Sequence, residues 1–115
     1  MPHLTVEYST NLMPHDVLLQ LNRALVASGQ FEESDIKSRL LKMDDFLIGT
    51  TAQGRAFVHV KLAILAGRSI DIKRELSQNL LAVLQNTCIW PTDLSVQLCV
   101  EIQDIERESY AKTTI

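Results

Sequence analysis

Cysteine, glycine and proline are all scarce in this chain of 115 residues, which contains two, four and three of them respectively. The two cysteines, Cys88 and Cys99, lack the spacing of a metal site, so we expect reduced thiols in a cytosolic protein. No basic segment followed by an apolar run opens the sequence, which argues against a signal peptide. No apolar stretch reaches the roughly 18 residues that a membrane span needs. We therefore expect a cytoplasmic protein without a membrane partner.

An excess of basic residues is also absent. Eleven lysines and arginines against fourteen acidic residues give a net charge of −3, whereas a nucleic-acid-binding domain usually carries a basic face. The hydrophobic fraction of 46% and the charged fraction of 22% are typical of a globular protein. A chain of this length normally forms one domain, which we expect to span residues 1–115. A small cationic pocket for an anionic ligand is compatible with this charge balance.

The spacing of apolar residues predicts six elements in the order β-α-β-β-α-β. Since a helix between two strands normally makes a right-handed parallel crossover, we expect an α+β two-layer fold, a four-stranded mixed sheet with both helices on one face. Ser9 or Asn11 is expected to cap the first helix. The polar tail from Glu106 to Ile115 should pack on a neighbour or fray. The strands are predicted at His3–Tyr8, Ile36–Met43 continuing to Phe46–Ile48, Ala56–Leu65 and Ser95–Ile102, and the helices at Pro14–Ser28 and Ile70–Thr87.

One face of the predicted sheet has an unusual composition. It is too apolar for free solvent and too polar for a plain core, which predicts a subunit interface or a pocket. Its two histidines lack a third ligand at a suitable spacing, so we expect them to make hydrogen bonds and not to bind a metal. Alternation places on this face His3, Thr5, Glu7, Phe57, His59, Lys61 and Cys99.

The opening Met-Pro-His places a proline at the start of the first strand. The first residue of a strand tolerates proline, which has no N–H to donate, and this is a purely structural interpretation. If Met1 is removed, however, Pro2 becomes a free secondary amine. One such base can remove a proton from one atom and return it to another. Pro2 is therefore the candidate catalytic residue.

Three cationic residues are candidates for binding a carboxylate. Arg68 opens the second helix, where the helix dipole disfavours a cation, so helix capping does not account for it. Gly67 before it permits a tight turn that would aim Arg68 at an anion. Lys37 and Arg39 lie two residues apart in a strand and therefore share a face. Each of the three also fits an ordinary exposed position, and the residues by themselves leave that alternative open.

Four segments taken together resemble the 5-carboxymethyl-2-hydroxymuconate isomerase family of the tautomerase superfamily. They are MPH at 1–3, IKSR at 36–39, AFVHV at 56–60 and AGRS at 66–69. The resemblance runs from Pro2 to about Ile102 and implies a tautomerase-like fold with an amino-terminal proline. It implies a homotrimer with sheets packed around a threefold axis, active sites near subunit boundaries, and no cofactor or metal. This chain has Lys37 where the family pattern has arginine, and lysine offers a point charge in place of a planar fork.

The activity implied by the resemblance is the tautomerisation of a 2-hydroxymuconate-type dienol diacid, in the breakdown of 4-hydroxyphenylacetate through homoprotocatechuate. Pro2 would shuttle the proton and Arg68 would bind one carboxylate. Lys37 and Arg39 would bind the other end or polarise the 2-oxo group. Two alternatives are a tautomerase for another 2-oxo acid and a non-catalytic trimer that binds a small acid or serves assembly. Retention of Met1 would favour the non-catalytic trimer, because an acylated proline nitrogen is not a base.

Overall fold

A computed structural model describes residues 1–115 and contains the six predicted elements in the predicted order. Neither helix combines the length and the apolar composition that crossing a membrane requires. The strands are β1 (His3–Ser9), β2 (Lys37–Met43), β3 (Arg55–Leu65) and β4 (Ser95–Ile105), and the helices are α1 (Val17–Ala27) and α2 (Ile70–Thr87).

The four strands form one mixed sheet in the order β2-β1-β3-β4. Strands β1 and β2 are parallel, β3 and β4 are parallel, and the two pairs meet through antiparallel β1 and β3. The fold therefore consists of two β-α-β units, and the predicted α+β architecture is confirmed. His3 lies opposite both Lys37 and Ala63, so the starts of β1 and β2 share an edge of the sheet with the ends of β3 and β4.

The hydrophobic core lies between the helices and one face of the sheet. Alternate residues of β1 and β3 are fully buried there, as the period of two predicts. Each fully buried leucine or valine contributes about 1.5–3 kcal/mol of transfer free energy. The buried strand residues include Leu4, Val6, Val58, Val60, Leu62 and Ile64, and the helices contribute Val17, Leu21, Leu25, Leu76, Leu80 and Leu84.

The predicted start of α1 is wrong, because the helix begins at Val17 and not at Pro14. Asp16 precedes it in a left-handed conformation, with φ 54°, and its side chain caps nothing. Ser9 and Asn11, the predicted caps, bind β3 instead. The buried Ser9 hydroxyl accepts a hydrogen bond from the N–H of Phe57 at 3.0 Å, and the Asn11 amide donates to the Arg55 carbonyl at 2.9 Å.

The expectation that the tail frays is wrong, because residues 106–115 make defined contacts with other parts of the chain. β4 continues to Ile105, paired with Leu65 of β3, and a single 3₁₀ turn follows at Arg107–Ser109. The Tyr110 hydroxyl lies 3.1 Å from His3 Nε2, and Lys112 Nζ lies 2.6 Å from an Asp35 carboxylate oxygen. These two contacts hold the tail across the start of β1.

Candidate active site

A cavity of about 420 Å³ opens at the edge of the sheet where β1 begins. Its volume falls within the range of small-molecule sites. Four parts of the chain form its wall: the amino terminus, the segment after α1, the turn before α2 and the tail. The residues that matter chemically are Met1, Gln30, Phe31, Arg68, Arg107 and Tyr110.

The amino terminus is held between β2 and this cavity. Pro2 is buried, and its carbonyl accepts a hydrogen bond from the Lys37 N–H at 3.1 Å. Met1 precedes Pro2 and lines the cavity. Burial lowers the pKa of the Met1 α-amine, and the Lys37 ammonium lowers it further through a hydrogen bond and charge repulsion. The surroundings of this terminus therefore favour a neutral amine, which is the form that can accept a proton.

Arg68 is fixed on the cavity wall by contacts with the segment after α1. Its Nε and Nη2 donate to the side-chain and backbone oxygens of Gln30, each at 3.1 Å. Nη1 donates a longer bond of 3.5 Å to the Leu65 carbonyl, and the guanidinium stacks 4.8 Å from the centre of the Phe31 ring. These bonds use three of the five guanidinium N–H groups. One N–H on each Nη atom remains to meet a carboxylate in the cavity.

Lys37 and Arg39 occupy different positions relative to this cavity. Lys37 Nζ donates to the Asp35 carbonyl and lies within reach of the amino terminus. Arg39 lies farther along β2 on the open face of the sheet, with Nη2 3.0 Å from His3 Nδ1. The structure thus brings Arg68 and the amino terminus to one cavity, and it places both Lys37 and Arg39 outside the wall of that cavity.

His3 connects the open face to the tail. Its two ring nitrogens contact Arg39 and Tyr110. Burial, followed by the charges of Arg39 and Lys37, lowers the pKa of His3. The other histidine of this face, His59, pairs with Glu101 at 2.7 Å. His3 is therefore engaged in hydrogen bonds, as the sequence predicts, and His59 lies within ion-pair distance of Glu101.

Sequence reasoning missed the contribution of the tail to the cavity. Arg107, Tyr110 and Lys112 line it together with Gln30 and Phe31. Their only sequence signal is a tyrosine and two cations in a polar terminal segment, which is equally typical of an exposed terminus. Their contacts join residues that are far apart in the chain. The periodicity of apolar residues predicts local structure and cannot predict such contacts.

The chain is similar to several proteins whose names describe one activity. It is 29% identical over 89 residues to a 5-carboxymethyl-2-hydroxymuconate Delta-isomerase from Escherichia coli. The alignment covers 74% of this chain and 71% of that protein. The crystal structure of a 5-carboxymethyl-2-hydroxymuconate isomerase from Deinococcus radiodurans R1 matches with a TM-score of 0.83 and 28% identity, covering 99% of this chain and 90% of that one.

The same fold occurs in a structure described as a fused 4-OT wild-type symmetric trimer, with a TM-score of 0.74 and 20% identity, covering 96% of this chain and 90% of that chain. The sequence model of one family, 5-carboxymethyl-2-hydroxymuconate isomerase, matches residues 2–115. This match confirms the resemblance seen in the four sequence segments. The chain is therefore an isomerase that belongs to the 5-carboxymethyl-2-hydroxymuconate isomerase family.

Proposed function

We propose that this isomerase converts 5-carboxymethyl-2-hydroxymuconate, or a closely related 2-hydroxymuconate-type dienol diacid, into the unsaturated 2-oxo acid without a cofactor. The observation that carries the proposal is the start of β1, where Pro2 is buried and the terminus lines a cavity that also contains Arg68. The pKa of the α-amine at this terminus, that of Met1, is lowered by burial and by Lys37. The reaction would serve the cytoplasmic breakdown of 4-hydroxyphenylacetate through homoprotocatechuate.

Pro2 is the proposed base. Removal of Met1 would expose its secondary amine one residue from the Met1 α-amine, whose pKa is lowered by burial and by Lys37. We expect the same surroundings to favour the neutral form of the proline amine. The amine takes the proton of the enol hydroxyl and returns it to the carbon at the far end of the diene. One O–H bond breaks, one C–H bond forms, and the double bonds shift between them, so the substrate gains and loses no atoms. The pyrrolidine ring restricts the motion of the amine and so helps to hold it in place.

The cations are proposed to hold the anionic groups of the substrate. Arg68 binds one carboxylate with the two N–H groups that the chain leaves unused. Lys37, beside the amine, stabilises the negative charge that develops on the 2-oxo group. Arg39 is proposed to act, with Lys37, at the 2-oxo acid end of the substrate. Because it lies on the open face of the sheet next to His3, it would act at a boundary between subunits.

A homotrimer is the proposed assembly. The open face of the sheet carries half-buried Phe57 and the His59–Glu101 pair, a composition suited to contact with another subunit. A protein of the same fold is described as a symmetric trimer. Packing three such sheets around an axis would bring the start of β1 and Arg39 close to neighbouring subunits.

A second candidate function is tautomerisation of a different 2-oxo acid. Lys37 favours this alternative, because its ammonium cannot make the bidentate contact that arginine would make with a carboxylate. A panel of enolic acids that differ at the 2-oxo acid end distinguishes the two candidates. Turnover highest on an acid other than 5-carboxymethyl-2-hydroxymuconate would support the second candidate.

The test of the base is the substitution Pro2→Ala. Methionine is still removed before the small alanine, but the amine becomes primary and more mobile. We expect kcat/KM for 5-carboxymethyl-2-hydroxymuconate to fall about 10²- to 10⁴-fold, the usual contribution of a positioned proton-transfer group. Loss of the dienol absorbance measures the rate, and intact mass establishes whether Met1 is absent.

The matched control is Pro14→Ala, which changes a half-buried proline ahead of α1 and away from the cavity. Its kcat/KM should equal that of the unmodified protein. Full activity in protein whose intact mass retains Met1 would remove Pro2 as the base. An inactive protein with Met1 retained would favour the non-catalytic trimer.

A further inference from the structure

Arg107 is anchored at the mouth of the cavity by the turn that precedes Arg68. Its Nε donates to the Ala66 carbonyl at 2.6 Å, and the Ala66 N–H donates to the Ile105 carbonyl at 2.9 Å. The end of β4 and the turn after β3 are therefore joined twice. Arg107 and Arg68 line the same cavity from these two joined segments.

Gly67 lies against the Arg107 guanidinium. A Cβ atom at position 67 would lie 3.6 Å from both Nε and Nη2 of Arg107, an ordinary van der Waals distance. The backbone at Gly67 has φ +126°, a conformation that residues with a side chain rarely adopt. The glycine is therefore required by the backbone of the turn that joins Arg68 to the segment contacting Arg107.

The outer nitrogens of Arg107 make no hydrogen bond or ion pair within the chain; its Nε bond to Ala66 is its one internal contact of this kind. Four N–H groups on Nη1 and Nη2 therefore remain for a ligand. Of the two acidic side chains on the cavity wall, Asp35 is paired with Lys112, whose hydrogen bond lowers the pKa of Asp35. The unoccupied donors of Arg107 fit a carboxylate or another planar anion.

The proposed substrate, 5-carboxymethyl-2-hydroxymuconate, carries three carboxylates, one more than muconate itself. Muconate has a carboxylate at each end, and the carboxymethyl arm adds a third on C5. We propose that Arg107 binds the carboxylate of this arm and makes the enzyme select the tricarboxylate over plain 2-hydroxymuconate. C5 is also the carbon that receives the proton, so holding the arm would place C5 against the Pro2 amine. This inference rests on the function proposed above.

The test compares two substrates that differ by one carboxymethyl arm. Arg107→Gln removes the charge and keeps an amide N–H that can bond to the Ala66 carbonyl. We expect kcat/KM to fall about 10- to 100-fold for 5-carboxymethyl-2-hydroxymuconate and to stay within about twofold for 2-hydroxymuconate. The loss should appear mainly in KM. Arg107→Lys, which restores the charge, should recover part of the loss.

Two further variants calibrate the result. Arg68→Gln should lower kcat/KM for both substrates, because both share the carboxylate assigned to Arg68. Arg74→Gln should change neither, since Arg74 is exposed on α2 and paired with Asp71 at 2.9 Å. Circular dichroism and the urea midpoint establish that each variant is folded before its kinetics are compared.

The outcomes separate this inference from the proposed function. An equal fall in kcat/KM on both substrates in Arg107→Gln, or no fall on either, would overturn the role of Arg107. The proposed function would still stand, provided that the unmodified enzyme is active. An unmodified enzyme that turned over neither substrate would overturn the proposed function and this inference together.

Discussion

Lys37 is the charged residue that most affects the amino terminus, next to the proposed base. Its ammonium is held by the Asp35 carbonyl and hydrogen-bonds to the amino terminus, where it lowers the pKa of the α-amine after burial has done so. An arginine at this position would carry the same charge but would spread it over a larger planar group. The compact lysine therefore suits a role beside the amine at least as well as a role in gripping a carboxylate.

The pH dependence of the reaction tests this role. The base must be neutral to act, so kcat/KM should rise with pH as the amine loses its proton. Lys37→Gln removes a nearby positive charge, which raises the pKa of the amine and should move this rise to higher pH. The measurement is kcat/KM against pH for the variant and the unmodified enzyme.

Lys42→Gln is the matched control, because Lys42 is exposed near the other end of β2 and lies 3.8 Å from Asp44. Its profile should overlay that of the unmodified enzyme. A Lys37→Gln profile that rises at the same pH, or at a lower one, would contradict a lysine that tunes the amine.

At the level of the elements, Ser9 at the end of β1 bonds to strand β3 and does not cap the following helix. Ser9 is fully buried, and its hydroxyl accepts the Phe57 N–H at 3.0 Å. Its position at the end of β1 extends the pairing of β1 with β3 beyond the last backbone pair, Tyr8 with Val58. Ser9 is thus engaged with β3 and does not cap α1, which starts at Val17.

Ser9→Ala should therefore lower the free energy of unfolding. The substitution leaves a buried backbone N–H without an acceptor, which costs about 1–3 kcal/mol. Urea denaturation measures the change. Ser95→Ala, at the exposed start of β4, should stay within about 0.5 kcal/mol of the unmodified protein. An equal loss in both variants would mean that the Ser9 hydrogen bond does not stabilise the fold.

At the level of the whole molecule, the two faces of the sheet differ in what covers them. One is sealed by α1 and α2 around a core of fully buried aliphatic side chains. The other carries Phe57 packed edge-on against Phe46, with ring centres 6.1 Å apart, beside the His59–Glu101 pair. A surface of this mixed composition is the kind that a second subunit covers. The proposed trimer assigns it that role.

A charge on this face should break the proposed trimer. Phe57→Asp would place a carboxylate in the contact between subunits, where its desolvation is unfavourable, so we expect sedimentation as a monomer. Leu19→Asp is the control, because Leu19 is 50% exposed on α1. That variant should sediment with the unmodified protein as a trimer. A monomeric unmodified protein at assay concentration would contradict the trimer itself.

The elements and their order follow from local patterns in the sequence. The predicted continuation of the second strand to Phe46–Ile48 is wrong, because β2 ends at Met43. A period of two marks β1, β3 and β4, and a leucine stripe marks each helix, because alternation and the helical turn are local properties of the chain. Ser69 caps α2 through the Ile72 N–H at 3.2 Å, which explains why the predicted bounds of that helix hold. The family resemblance likewise depended on short segments that can be read in order.

Only the tertiary structure decided what surrounds the amino terminus. The contacts of His3 with Tyr110 and of Asp35 with Lys112 join residues far apart in the sequence, and they turn an apparently loose tail into part of the cavity. Ser9 and Arg39 could have served as a cap and as a cavity cation, but pairing with β3 and with His3 engages them instead. A polar side chain forms a hydrogen bond with whichever group lies close to it in the folded protein. For Ser9 and Arg39 that group is on a neighbouring strand of the sheet.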